Sequence, residues 1–104
     1  MDTDELQRRF GKIVLRRRLE AELSQENLAA QVGIHRNHLS LLERGKHMPN
    51  LAVAHKIATA FGVKLATMIA EAEDETTALT DPPALPKGRP RKETMAGAKP
   101  KGRK

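Results

Sequence analysis

Apolar residues recur every three or four positions along the first 73 residues, the spacing that places them on one face of an α-helix. Gly33, Gly45 and Gly62 interrupt the pattern, and glycine can take the positive φ that ends a helix. The pattern predicts helices over about residues 4–21, 24–32, 35–44, 50–61 and 65–73. We therefore predict an all-α fold, a compact bundle of about five short helices.

Capping residues and an aliphatic core support these boundaries. Ser24 and Asn50 precede the second and fourth helices, where a side-chain oxygen can accept an unpaired backbone N–H. Two Phe and no Tyr or Trp leave a mainly aliphatic core, which suits packed short helices better than a sheet. The residues expected to face inward are Phe10, Val14, Leu28, Ala29, Val32, Leu39, Leu42, Leu51, Ala54, Ile57, Ala58, Phe61, Leu65, Met68 and Ile69.

The second and third helices form a compact unit over about residues 24–44. A helix about 10–12 Å wide fits the major groove of DNA, where each base pair presents a distinct pattern of hydrogen-bond donors and acceptors. Such an arrangement is typical of a helix-turn-helix DNA reader. Burial of Leu39 and Leu42 leaves the side chains of Arg36, Asn37, Ser40 and Arg44 on the other faces, with His38 and Leu41 near them.

The segment resembles the Cro/C1-type helix-turn-helix domain, the XRE family, whose fold is lambda-repressor-like. The family pattern L-(S/T)-Q-x-x-L-A-x-x-x-G-(V/I) matches from Leu23 to Ile34, and its continuation matches from Leu39 to Gly45. Further matches extend the resemblance over roughly residues 10–70. It implies a sequence-specific transcriptional regulator that binds double-stranded DNA and is expected to act as a repressor.

The resemblance also implies a role for each matched position. Gln25 is expected to contact a phosphate or a base edge at the start of the second helix. Arg36 and Asn37 are the first candidates for base contacts, because Arg can bind guanine O6 and N7 and Asn can bind adenine N6 and N7. The remaining expected contacts within the third helix are Ser40, Leu41 on a thymine methyl, and His38, which alternatively is only solvated. Arg44, Lys46 and His47 are expected to contact phosphates, the alternative being a solvated basic loop.

Three further positions have structural expectations. Arg18 and Glu43 match a pair that forms an internal ion pair in the family, joining the first helix to the end of the third. His35 is expected to substitute for a helix cap.

Two departures from the pattern stand out: Glu22 occupies a position where a turn-favouring Gly is frequent, and Arg17 occupies a position that is often apolar, while Ile13 and Leu15 lie at positions that are often polar. The first helix is therefore expected to be rotated or longer than usual, and an exposed Ile13 or Leu15 is a candidate partner surface, the alternative being an ordinary surface apolar residue.

The charge of +6 is unevenly distributed, which separates a folded domain over residues 1–75 from a basic tail over 76–104. Residues 82–104 hold 8 Lys or Arg and one acid, and five of the six prolines follow residue 76. With few large apolar residues, the tail is expected to be disordered when free. Its segment 86–92 resembles an AT-hook, which binds the minor groove, and the alternative is a nonspecific basic tail. The residues expected to contact DNA are Lys87, Gly88, Arg89, Pro90, Arg91 and Lys92.

The remaining expectations concern partners and exclusions. A homodimer is expected because one small domain contacts only a half-site, and Leu65, Met68 and Ile69 are interface candidates unless they only complete the core.

No Cys, no catalytic constellation and no phosphate-binding loop are present, so neither enzyme activity nor any metal, cofactor or small-molecule ligand is expected. No apolar run approaches the roughly 18 residues that span a bilayer, and a cytoplasmic, nucleoid-associated protein is expected. The alternative function is an antitoxin-type protein that binds a protein partner through its tail or a helix.

Overall fold

The computed structural model describes residues 1–76, which contain five helices and no strand. The all-α prediction is confirmed, and each helix end lies within one residue of the end that the hydrophobic pattern predicts. The helices are α1 (Thr3–Glu20), α2 (Gln25–Val32), α3 (Arg36–Glu43), α4 (Leu51–Ala60) and α5 (Leu65–Glu73).

Local hydrogen bonds explain where α2 and α4 begin. The Ser24 hydroxyl accepts a bond from the Asn27 amide at 3.0 Å, and the Asn50 side chain accepts one from the Val53 amide at 2.8 Å. Each such cap stabilises a helix by about 1 kcal/mol. His35 occupies the capping position of α3, but its side chain makes no capping hydrogen bond, so the expectation that it acts as a cap was wrong.

The turn between α2 and α3 is tight. Gly33 has φ +83°, a left-handed conformation that glycine adopts without a Cβ clash. The amides of Gly33 and Ile34 both bond to the Ala29 carbonyl, at 2.8 and 3.0 Å, which pairs backbone groups at the end of α2. This turn sets the angle at which α3 leaves α2.

The core lies where α1 packs on α3 and α5, and where α2 packs on α3 and α4. Ile13 is 2% exposed, so it belongs to the core and forms no partner surface. Leu51, which was expected in the buried stripe of α4, is 76% exposed, because α4 is covered only from its second turn onward. The buried apolar residues are Phe10, Ile13, Val14, Leu28, Ala29, Val32, Leu39, Leu42, Ala54, Ile57, Ala58, Met68 and Ala72.

Backbone approach at Gly11 fixes α1 against the end of α3. A Cβ at Gly11 would overlap the Leu42 carbonyl oxygen and would lie 3.1 Å from that of Glu43. Only glycine fits at this crossing. In addition, the Gln7 side-chain amide donates a hydrogen bond to the Gly45 carbonyl at 2.9 Å, so α1 also holds the turn that follows α3.

Candidate nucleic-acid interface

Helix α3 has one face in the core and one face in solvent. Leu39 and Leu42 are fully buried. Asn37, Leu41 and Arg44 are exposed on the other side, at the i, i+4, i+7 spacing that aligns side chains along one helix face. We call these three residues the exposed stripe. It combines an amide, an apolar side chain and a cation, which are groups that can contact a base edge, a thymine methyl and a phosphate.

Arg36 lies beside this stripe and pairs with α2. Its Nε is 3.0 Å from Glu26 Oε2, and the two side chains are 53% and 66% exposed. An exposed pair of this kind contributes little to stability, up to about 1 kcal/mol, but it orients the guanidinium. Sequence reasoning missed Glu26 as the partner, because the pair depends on the angle between two helices.

His38 and Ser40 are half-buried, unlike the residues of the stripe. The His38 ring packs edge-on against His47, with ring centroids 4.3 Å apart and an angle of 82° between the planes. Its Nε2 is buried without a hydrogen-bond partner in the structure. His38 therefore leans toward the turn after α3, whereas Asn37 and Leu41 point into solvent.

A buried polar network supports α3 from behind. Arg18 Nε donates to Glu43 Oε2 at 2.6 Å, Arg18 Nη2 donates to Glu43 Oε1 at 3.1 Å, and Arg18 Nη1 donates to the Leu23 carbonyl at 2.8 Å. Both residues are buried, with exposures of 7% and 5%. The paired fork geometry fixes the end of α3 to α1.

Gln25 belongs to the same network. Its side-chain Nε2 donates to Glu43 Oε1 at 2.9 Å, and the residue is half-buried. The amide nitrogen is therefore turned inward, while the backbone N–H groups of the first turn of α2 have no partner inside the helix. The N–H groups of Gln25 and Glu26 stay without an intrahelical partner, whereas the Ser24 hydroxyl accepts the Asn27 amide.

The turn after α3 carries two exposed cations. Arg44 and Lys46 are both exposed, and Arg44 Nε makes only a long contact of 3.4 Å to the Ser40 carbonyl. Sequence reasoning missed Gln7 and Gly11, which hold this turn in place. A glycine inside a helical pattern was the available signal, since it often marks a close backbone approach.

Other kinds of site receive no support from the described part of the chain. Residues 1–76 contain no group of three or more His, Cys, Asp or Glu side chains arranged to hold a metal ion. Over the same range no single helix is long and apolar enough to cross a membrane, and α4 and α5 meet that test only together, across a bend of 104°. The AT-hook-like residues Lys87, Gly88, Arg89, Pro90, Arg91 and Lys92 lie outside the described residues.

Comparison with known proteins identifies the family. Residues 14–68 match the helix-turn-helix family model. An HTH-type transcriptional regulator of Methanocaldococcus jannaschii is 42% identical over 53 residues, covering 51% of this chain and 80% of the relative. The control protein C.MunI of a Mycoplasma species is 35% identical over 68 residues, covering 64% of this chain and 92% of the relative.

A solved structure agrees with these relatives. The crystal structure of the restriction-modification controller protein C.AhdI from Aeromonas hydrophila is similar with a TM-score of 0.57 and 31% identity, covering 59% of this chain and 92% of that chain. The family match spans α2 and α3 together with the turn that follows them. The chain belongs to the helix-turn-helix family of DNA-binding transcriptional regulators, of the Cro/C1 or XRE type.

Proposed function

We propose that this regulator recognises a specific operator by inserting α3 into the major groove, with Arg36, Asn37 and Leu41 toward the bases. The observation that carries the proposal is the division of α3 into a fully buried leucine face and an exposed face of polar and cationic side chains. In helix-turn-helix proteins the N-terminal residues of the recognition helix contact base edges. Arg36 and Asn37 are the first two residues of α3.

The roles follow from side-chain chemistry. The Arg36 guanidinium is suited to guanine O6 and N7, the Asn37 amide to adenine N6 and N7, and Leu41 to a thymine methyl. In this proposal Arg44 and Lys46 contact phosphates, and Gln25 contributes through the N-terminal turn of α2. Ser40 and His38, which are half-buried, take a smaller part than the exposed stripe.

The experiment is selection of duplexes from a random pool, followed by footprinting. We expect the wild-type chain to select one defined motif and Arg36→Ala to lose preference at one base pair, a loss of about 1–3 kcal/mol in discrimination. The matched control is Lys56→Ala, which removes an exposed cation from α4, outside α3. Equal effects of the two substitutions, with both variants folded, would contradict base contact by Arg36.

We also infer a homodimer that places two α3 helices about 34–36 Å apart, one turn of DNA. Met68, one of the predicted interface residues, is fully buried and completes the core instead. Leu65 and Ile69 are half-buried and line an apolar groove of about 170 Å³ together with Leu6, Met48 and the exposed Leu51. A second copy seated on this groove would cover Leu51.

Sedimentation of the full chain tests the dimer. We expect a dimer for the wild type and a monomer for Leu51→Ser, with unchanged thermal stability of the monomer. A wild-type monomer at all concentrations, on and off DNA, overturns the proposal. Co-purification of a different polypeptide bound to the groove would instead favour the antitoxin-type alternative.

Repression and tail contacts complete the proposal. Bound at a promoter, a protein of this size represses by excluding polymerase, and transcription in vitro from a promoter that overlaps the selected motif is expected to fall as protein is added.

The basic tail adds phosphate or minor-groove contacts. Truncation after Asp81 is expected to lower the slope of log K against log salt by roughly 3–4 if about four tail charges meet phosphates, while the ranking of sites is kept. An unchanged slope contradicts tail contact.

A further inference from the structure

A cationic cleft lies between α1 and the end of α3, next to the exposed stripe. Its lining residues are Arg8, Lys12, Leu15, Glu43 and Arg44, and its volume is about 280 Å³. Arg8, Lys12 and Leu15 are spaced i, i+4, i+7, which places them along one face of α1. We call this feature the basic cleft.

The basic cleft is lined by more positive than negative side chains. Glu43 is its one acidic lining residue, and both carboxylate oxygens accept hydrogen bonds from Arg18, one of them also from Gln25. The buried Arg18 guanidinium therefore neutralises the Glu43 carboxylate. Arg8 and Arg44 are exposed, and together with Lys12 they place three cations in the lining against this one acid, which favours an anion.

The cleft is also rigidly held. A Cβ at Gly45 would lie 3.0 Å from the Cα and Cγ of Arg8, so the stem of Arg8 packs directly on the turn after α3. Gly11, one turn along from Arg8, makes the close backbone approach to Leu42 and Glu43. The backbone of α1 and the stem of Arg8 are therefore held close to the end of α3.

The position of the cleft favours a phosphate of the DNA backbone as its ligand. Arg44 belongs both to the exposed stripe and to the basic cleft, at the opposite end of α3 from Arg36. Eight residues of helix extend about 12 Å, and the major groove is about 12 Å wide. With α3 lying across the groove and its first residues on the bases, its last residues reach the rim, where the phosphates lie.

We propose that the basic cleft binds backbone phosphates of the DNA that flanks the half-site, with Arg8 and Lys12 extending the footprint beyond the bases contacted by α3. This inference rests on the proposed orientation of α3 in the major groove. It adds a second cationic surface, contributed by the first helix, to the interface formed by α2, α3 and the turn after α3.

The test compares two duplexes that share the selected motif: a core duplex that ends at the motif, and a long duplex with about 10 bp more on each side, one helical turn. Variants are Arg8→Gln and Lys12→Gln, which keep the aliphatic stems, and the control is Lys56→Gln on α4. Each protein is titrated with both duplexes over a range of salt concentrations, and its folding is checked by circular dichroism and thermal unfolding.

We expect each cleft variant to lower the salt slope on the long duplex by about 0.9, the value for one lost phosphate contact, and to leave the slope on the core duplex unchanged. In both variants the DNA that flanks the motif is expected to lose its protection from hydroxyl radicals. Lys56→Gln is expected to match the wild type on both duplexes.

Two results overturn the proposal while leaving operator recognition by α3 intact. One is an equal ratio of long-duplex to core-duplex affinity in the wild type and both cleft variants. The other is a loss of thermal stability with no flank-dependent change in binding, which would show that Arg8 and Lys12 only neutralise the negative end of the α3 dipole. If the wild-type chain binds neither duplex, the proposed function itself fails.

Discussion

Two neighbouring arginines of α1 form ion pairs that differ in burial, and this difference predicts different stabilities for two matched variants. The side chains of Arg18 and Glu43 are 9% and 3% exposed, whereas those of Arg17 and Glu71 are 23% and 44% exposed at an N–O distance of 2.7 Å. Removing one partner of a buried pair leaves an uncompensated charge and costs about 3–5 kcal/mol. Removing one partner of an exposed pair costs up to about 1 kcal/mol.

We therefore expect Glu43→Gln to lower the free energy of unfolding by about 3 kcal/mol, since it removes the charge beneath three donated hydrogen bonds and leaves the Arg18 cation buried. Glu71→Gln is expected to lower it by about 1 kcal/mol or less. A domain of this size has roughly 4–11 kcal/mol in total, so the first loss is large. Replacing both charges, as Arg18→Met with Glu43→Leu, is expected to recover most of it.

The assay is urea unfolding of each variant followed by far-ultraviolet circular dichroism, with the midpoint and slope fitted separately. A Glu43→Gln variant that unfolds without urea counts as a loss at least as large as the one expected. The reasoning is refuted if Glu43→Gln and Glu71→Gln lose equal free energy. It is also refuted if the double replacement is less stable than Glu43→Gln, because the buried charge would then not be the source of the loss.

Three further variants test other contacts. Glu22 has φ +59°, so Glu22→Gly is expected to raise the free energy of unfolding by about 0.5–1 kcal/mol, measured by urea unfolding, and no gain would contradict strain at this turn. Glu26→Gln releases Arg36 and removes a carboxylate facing DNA, so competition binding is expected to show tighter nonspecific binding and a lower specificity ratio; an unchanged ratio counts against the pair. Leu51→Ser is expected to weaken dimerisation at least tenfold by sedimentation equilibrium while the monomer melts as before; an unchanged association constant would place the interface elsewhere.

The helix boundaries could be predicted because their causes are local. Ser24 and Asn50 cap the residues that follow them, and Gly33 ends α2 through its own backbone conformation. The pairing of Arg18 with Glu43 came from the family resemblance, and the structure contains that ion pair.

What the sequence did not indicate depends on how helices cross. Periodicity places Leu51 on the buried face of α4, but the neighbouring helices leave its first turn uncovered. The pair between Arg36 and Glu26 and the alignment of Arg8 with Arg44 likewise arise from the packing of separate helices. A single sequence shows which residue types are available for such sites, but not where those residues lie relative to one another.

The most direct test of the central claim, that α3 contacts bases in the major groove through its exposed face, is a double-mutant cycle between the protein and its selected operator. The guanine assigned to Arg36 is replaced by 7-deazaguanine, which lacks the N7 acceptor, and binding is measured for the wild type and Arg36→Ala. We predict that the modified base weakens wild-type binding by about 1–3 kcal/mol and leaves Arg36→Ala binding unchanged. Equal weakening of both proteins at every guanine of the motif would contradict the claim.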